Sequence, residues 1–252
     1  MTRVIAIINQ KGGSGKTTTA VNLGAYLAVF KKRVLVLDLD PQANTTIHLG
    51  LKPHTIDKSI YGVMTDKIDI ATVIKETPIN NLYICPANIN LSGVEIELAG
   101  VVGREMVLKD SLNKIIDEYD FIIIDCPPSL SLLTINALTV AEEIIIPVQT
   151  EFFALEGMGK LMNTVDIIKK RLNRKLKITG ILPTMFDGRT NLSREVIDKI
   201  KEYFGDKVYQ TKIRKNIKLA EASSHGKPIF LYDPKSSGAE DYESFSKEVN
   251  ND

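Results

Sequence analysis

Lys11-Gly12-Gly13-Ser14-Gly15-Lys16-Thr17 is the stretch on which the fold turns. It follows a short apolar run, Val4-Ile5-Ala6-Ile7-Ile8, and leads into a helix-like pattern from Thr17 to Phe30. Strand, glycine-rich loop and helix, in that order, form the context a phosphate-binding loop requires. Glycines let the backbone turn tightly so that several N–H groups face one anion. The helix that follows adds its positive N-terminal end. Lys16 is expected to reach the terminal phosphates of a nucleotide, and the Thr17 hydroxyl to ligate Mg²⁺. The loop departs from the commonest pattern at one place: counting back five from Gly15 reaches Gln10, with Lys11 beside it. This is a variant loop with two lysines.

The rest of the composition is that of an ordinary globular chain: 252 residues, 44% hydrophobic and 25% charged. No apolar run approaches the ~20 residues of a membrane span, and the N-terminus enters a strand directly, without a signal-peptide pattern. Cys85 and Cys126 form no CxxC motif and read as reduced, buried thiols of a cytoplasmic protein. His48, His54 and His225 lack paired spacing, which argues against a zinc site. The net charge of +1 is unevenly spread, since Lys160 to Lys218 holds 16 Lys/Arg against 6 Asp/Glu. The densest part, Lys169-Lys170-Arg171-Leu172-Asn173-Arg174-Lys175-Leu176-Lys177, reads as a solvated helix end or as a nucleic-acid-facing patch.

Strand-length apolar runs at 3–8, 33–38, 81–85, 120–125, 143–148, 177–183 and 207–211 alternate with helical patterns at 16–30, 104–117, 131–140, 155–172, 190–204, 216–222 and 237–249. Continuous Val/Ile/Leu runs suit strands buried on both faces of a parallel sheet. The expected fold is therefore α/β, a mostly parallel twisted sheet flanked by helices, in one domain over 1–252. Right-handed crossovers then place ligand sites at the carboxyl ends of the strands. Two further strand ends carry carboxylates: Asp38 and Asp40 after Val34-Leu35-Val36-Leu37, and Asp125 after Phe121-Ile122-Ile123-Ile124. Beside the loop, Asp125 is expected at the metal and Asp40 at the attacking water. Asp38 is read equally well as a turn or cap residue.

Those residues together resemble the ParA/Soj chromosome-partition ATPases of the deviant Walker A group, which also includes MinD. The likeness rests on the Lys11/Lys16 loop, Asp38-Leu39-Asp40-Pro41-Gln42-Ala43-Asn44 and Ile122-Ile123-Ile124-Asp125-Cys126-Pro127-Pro128-Ser129-Leu130. It continues through Leu133–Leu138, Ile146-Pro147-Val148-Gln149, Ala154-Leu155-Glu156-Gly157, Thr184-Met185 with Arg189-Thr190-Asn191, Ser224–Pro228 and Tyr232-Asp233-Pro234. The resemblance implies a P-loop ATPase using ATP and Mg²⁺. Lys11 would reach across an ATP-bound homodimer to the partner's nucleotide, and Gly12 would permit close subunit approach. Gly13, Ser14, Gly15, Lys16, Thr17 and Thr18 would bind ATP, with Asn216 at the adenine. Thr17, Asp40 and Asp125 would serve the metal, and Lys11, Lys16 and Asp40 the hydrolysis. It further implies non-specific double-stranded DNA binding through Arg189 and Lys218, a ParB/Spo0J-type partner that stimulates slow turnover, and a cytoplasmic, nucleoid-associated location. One departure is Ile213-Arg214-Lys215-Asn216, where relatives commonly carry Ile-Pro-Arg-Asn; the added cation is a candidate for the DNA face.

Three other readings have less support. A MinD-like membrane-cycling ATPase needs a basic amphipathic C-terminal helix, whereas 238–249 is acidic with few large apolar residues, so no stable membrane binding is expected. An iron–sulfur relative needs bridging cysteines. A plasmid-type relative with operator reading needs an added helix-turn-helix, and the first strand begins at residue 3.

Overall fold

In the computed structural model, residues 1–151 and 158–251 are described. The elements run β1 (Arg3–Ile7), α1 (Lys16–Val29), β2 (Val34–Asp38), α2 (Asn44–His48), α3 (Ile60–Thr65), β3 (Lys75–Glu76), β4 (Leu82–Cys85), α4 (Val94–Glu97) and α5 (Val107–Leu112). They continue as β5 (Phe121–Asp125), α6 (Leu132–Val140), β6 (Glu143–Gln149), α7 (Met158–Arg171), β7 (Lys177–Thr184), α8 (Asn191–Phe204), α9 (Ile217–Ser224), α10 (Ile229–Tyr232) and α11 (Ser237–Asn251). The strands form one sheet in the order β3-β4-β2-β5-β1-β6-β7. Every pairing is parallel except β3 with β4.

Alternation along the strands divides the core into two clusters. Val4, Ala6, Leu35 and Leu37 join the cluster containing Leu108, Leu133 and Leu161, while Ile5, Ile7, Val34 and Val36 join the one containing Leu23, Tyr242 and Phe245. Helices α5, α6 and α7 thus cover one face, and α1 and α11 the other. Gly24 lets α1 lie close to β2, because a Cβ there would sit 2.6 Å from Val36 Cγ2. The strand register is what builds the site: Asp125 is level with Ile7 on one side and Asp38 on the other. β1 lies between β5 and β6, so its loop is flanked by the ends of both.

The expected strand at 207–211 does not form. Val208 makes a single bridge to Ile181, after which Pro183 has no N–H to continue a ladder. The Gln210 and Thr211 amides donate instead to the Glu248 carboxylate at 2.7 and 3.1 Å. The helix expected at 104–117 is shorter, at Val107–Leu112. The expected helix at 155–172 is described from Met158 to Arg171; residues 152–157, which include the Ala154–Gly157 part of the resemblance, lie outside the described residues.

Candidate nucleotide site

The glycine loop has left-handed backbone at Gly13 (φ 70°) and Gly15 (φ 91°), a region that favours glycine. α1 starts at Lys16 with no side-chain cap, so its first N–H groups are open to an anion. The loop is held from outside through its carbonyls. Gln149 Nε2 donates to Gly13 O at 2.9 Å and Thr184 Oγ1 to Ser14 O at 2.9 Å. Asn9, just past β1, accepts the Lys11 N–H at 2.9 Å and donates to Pro147 O at 2.7 Å. Occupying the carbonyls leaves the amides to the cavity, which measures about 520 Å³. It is lined by Gly12 to Thr18, Asp40, Gln42, Asn44, Ile47, His48, Pro128, Met185, Ser223 and Ser224.

The two lysines of the loop occupy different places. Lys16 is buried and folds back so that its Nζ donates to Lys11 O at 3.3 Å. Burial pulls its pKa down, against the opposing pull of the Asp125 and Asp40 charges. Lys11 is not among the residues lining the cavity; its Nζ pairs with Glu151 at 3.2 Å, both side chains being substantially exposed.

The three carboxylates also divide. Asp125 Oδ2 accepts hydrogen bonds from Thr17 Oγ1 at 2.7 Å and Thr45 Oγ1 at 2.8 Å, while Oδ1 is buried with no partner. Burial pushes its carboxyl up to about 6 despite those bonds and Lys16. Asp38 is fully buried and accepts from Thr46 N, Thr46 Oγ1 and Asp40 N at 2.8, 2.7 and 3.2 Å. It therefore braces the turn from 40 to 46, as the turn-residue reading expects. Burial, then the Asp125 charge, raises it to about 7. Asp40 lines the cavity and accepts the Gln42 N–H at 2.9 Å. An unpaired buried acceptor next to a hydroxyl suits a hydrated cation. Among the described residues no group of three or more His, Cys, Asp or Glu could hold a metal. A cation here would rely on Thr17, on water held by Asp40 and Asp125, and on substrate oxygens, as Mg²⁺ commonly does.

Other expected site residues lie outside the cavity lining. Asn216 caps α9, accepting the Lys218 N–H at 2.8 Å and donating to Ser237 Oγ at 2.8 Å. Arg189 is exposed and pairs with Asp187 at 2.7 Å; Lys218 pairs with Glu221 at 2.8 Å. Arg214, the other candidate for the DNA face, is exposed but, like Arg189 and Lys218, already paired with carboxylates. Its guanidinium pairs with Glu240 at 2.5 Å and Asp241 at 2.6 Å, and its N–H donates to Asp241 at 2.8 Å. A proline at 214 could not make that last bond. Sequence reading left Gln149, Thr184, Thr45, Met185, Ser223 and Ser224 out of the site. Position at a strand's carboxyl end was the available signal for Gln149 and Thr184. Of the non-glycine residues with left-handed backbone, Met185 (φ 54°) lines the cavity and Ala43 (φ 53°) stands between two residues that do. Such strain gathers at functional sites.

A glycine loop with buried Lys16, backed by aspartates at the ends of neighbouring parallel strands, defines a P-loop nucleoside triphosphatase, and the extra Lys11 places it in the variant-loop class. A family model described as an AAA domain matches residues 2–178. The chain is 54% identical over 249 residues to the sporulation initiation inhibitor protein Soj of Bacillus subtilis (strain 168), covering 99% of this chain and 98% of that one. It is 47% identical to the chromosome-partitioning ATPase Soj of Treponema pallidum (strain Nichols), covering 99% and 97%. The chain belongs to the Soj/ParA family of chromosome-partitioning ATPases. Among solved structures, cobyrinic acid a,c-diamide synthase from Mycobacterium smegmatis, with bound ADP and magnesium, superposes with TM-score 0.89 at 36% identity, covering 100% and 95%. The cell division ATPase MinD of Pyrococcus furiosus is more distant, at TM-score 0.82 and 26% identity, covering 100% and 99%. The higher identity of the Soj relatives decides between these names.

Proposed function

We propose that the chain binds ATP with Mg²⁺ at this loop, pairs with a second copy through the rim that carries the loop, and holds duplex DNA in that state. Hydrolysis is slow until a ParB-type partner stimulates it and the pair dissolves. The observation that carries this reading is the division between the two lysines: Lys16 buried against the cavity, Lys11 outside it beside Glu151. A cation held outside its own cavity is suited to neutralise phosphate charge in a neighbour's. Gly12 supports the same view. A Cβ there would meet nothing within 4 Å, so no atom of the described residues requires glycine at that position. The ADP and magnesium held by the Mycobacterium structure support the choice of ligands.

In this reading Lys16, with the loop from Gly13 to Thr18, binds the phosphates. Thr17, Asp40 and Asp125 would hold Mg²⁺, which when bound neutralises phosphate charge. Asp40 orients the attacking water. Asn216 contacts the adenine, and Arg189 and Lys218 supply salt-sensitive phosphate contacts to DNA. The chain acts in the cytoplasm on the nucleoid, as one domain. The membrane-cycling alternative is disfavoured by α11, whose Tyr242, Phe245 and Val249 are buried in the core rather than offered to lipid.

Light scattering with ATP, ADP and no nucleotide tests the central claim. Wild type should double in mass only with ATP, whereas Lys11→Ala should bind ATP and stay monomeric; ATP-driven dimers of that variant would remove the reading. Lys16→Ala should weaken ATP binding by about 10- to 100-fold, the worth of one or two charge-assisted contacts. Asp40→Ala should retain binding and lose partner-stimulated phosphate release. Stimulated turnover at the wild-type rate would take the water-orienting role from Asp40.

A further inference from the structure

Each cation assigned above to duplex contact meets an acid of its own chain. Arg189, in the turn after β7, gives its Nε and Nη2 to the Asp187 carboxylate at 2.9 and 2.7 Å. Asp187 also accepts the Arg189 N–H at 3.1 Å, so it shapes the turn into α8 as well as balancing a charge. Lys218, in the first turn of α9, gives its Nζ to Glu221 Oε2 at 2.8 Å. The bonds to Glu221 come from side chains, those of Lys218 and Tyr232, which separates its charge from any duty to the backbone.

Glu221 is held in place against Lys218. The Tyr232 hydroxyl, at the end of α10, donates to the same Oε2 at 2.8 Å. The Tyr232 ring in turn stacks on His225, just past the end of α9, with centroids 5.1 Å apart. The Lys218 bond, then the Tyr232 bond, pull the Glu221 carboxyl below its ordinary value, so it is charged at neutral pH. An exposed lysine and glutamate three residues apart on a helix interact weakly when both side chains swing freely. Here the acid is fixed from two elements, and the ammonium is the partner left to move. Both side chains stay open to solvent, at 43% and 36% exposure. A phosphate approaching Lys218 therefore meets a stationary negative charge beside it.

We propose that Glu221 is a brake on duplex contact: by neutralising Lys218 in each copy, it keeps the hold of a single copy on phosphate weak, so that DNA is retained by a pair. The inference rests on the DNA-binding reading above and adds to it a residue that sets the strength of contact. Its consequence for the cycle is release. A tight contact in each copy would keep monomers on the duplex after the pair dissolves. A contact that must first displace a fixed carboxylate lets them go. Two such contacts joined in one dimer multiply, which restores retention in the ATP state. The brake acts on Lys218 by direct contact and needs no movement of the nucleotide loop.

Fluorescence anisotropy with a short random-sequence duplex, in ADP and in ATP over a salt series, tests the brake. The variants are Glu221→Gln, Lys218→Ala, the two combined, and Asp117→Asn, which removes one exposed negative charge ahead of β5 at the opposite end of the sheet. With ATP, Glu221→Gln should tighten binding by about tenfold and steepen the slope of log affinity against log salt by as much as about 0.9 for each copy in contact. In ADP the gain should be about threefold, the square root of the dimer's. Dimerisation of Glu221→Gln with ATP should match wild type. Lys218→Ala should erase the gain, the double variant binding as Lys218→Ala alone does. Unchanged or weaker binding by Glu221→Gln would overturn the inference while leaving the DNA reading intact. So would an equal gain from Asp117→Asn, or a gain that survives Lys218→Ala. No duplex binding by wild type or by Glu221→Gln with ATP would remove the DNA reading itself, and the brake with it.

Discussion

Asp38 and Asp125 stand level on neighbouring strands, and the fold keeps both carboxyls out of water. For Asp38 the value is pushed from 3.8 up to about 7. Between those values the folded chain holds a proton that the unfolded chain has released. Asp38 therefore contributes stability that is fully present below 3.8 and is lost as pH rises through about 7. In nucleotide-free protein, Asp38→Asn should shrink the change in melting temperature between about pH 5 and about pH 8 relative to wild type. An unchanged difference would mean that Asp38 is ionised in the fold across that range. His48, buried with its Nε2 unpartnered and its pKa lowered to about 4, acts in the opposite direction below 6.5. The variant-minus-wild-type comparison removes that contribution. Asp125 differs from Asp38 in having a free buried oxygen, so Mg²⁺ with nucleotide should raise the melting temperature most at alkaline pH, where that oxygen is charged.

At the scale of elements, two contacts in the C-terminal third lend themselves to test, one to the sheet and one to α11. Tyr209 lies over Gly180 of β7, where a Cβ would come 1.9 Å from its ring. Gly180→Ala should cost about 1–3 kcal/mol in urea unfolding, the usual price of overpacking, with faster hydrogen exchange over 207–213. The other contact is Arg214, whose bonds to Asp241 and Glu240 anchor the stretch before α9 to α11. Arg214→Ala should leave the buried Asp241 carboxylate underpaired and cost about 1–3 kcal/mol. Exchange should then quicken in α11 before α1. The exposed Glu240 half of the pair is worth little. These contacts also explain what the sequence could and could not convey. Runs such as Phe121–Asp125 were legible because they are apolar throughout and long enough to be strands. Helices of four or five residues, α2, α4 and α10, contain too little of the 3.6-residue period to be read, and β3 is a lysine and a glutamate. The stretch at 207–211, with Val208 and Tyr209 at its centre, resembled a strand, but Pro183 and Glu248, distant in sequence, decide its pairing. The loop itself was legible because its residues are contiguous. Its outer supports were not, since Gln149 and Thr184 reach it from 136 and 170 residues away.

For the molecule as a whole, the two ends of the sheet differ, with the nucleotide cavity at the carboxyl end and the exposed cations between Lys169 and Lys177 at the other. The two side edges have a consequence of their own. One ends in β3, two charged and exposed residues running against β4. The other is β7, capped by the 208–213 segment through Val208, Tyr209 and Ile213, with Pro183 supplying no donor. Neither edge presents a long row of open amides and carbonyls, so strand addition is closed to this protein. Copies brought close together can meet through loops and helices, contacts that separate again, without zipping into fibrils. Lys75→Val with Glu76→Val should unblock one edge and raise thioflavin-positive aggregation on prolonged incubation, while wild type stays clear at the same concentration. Two blunt strands, far from the active loop, keep contacts between copies of this chain reversible.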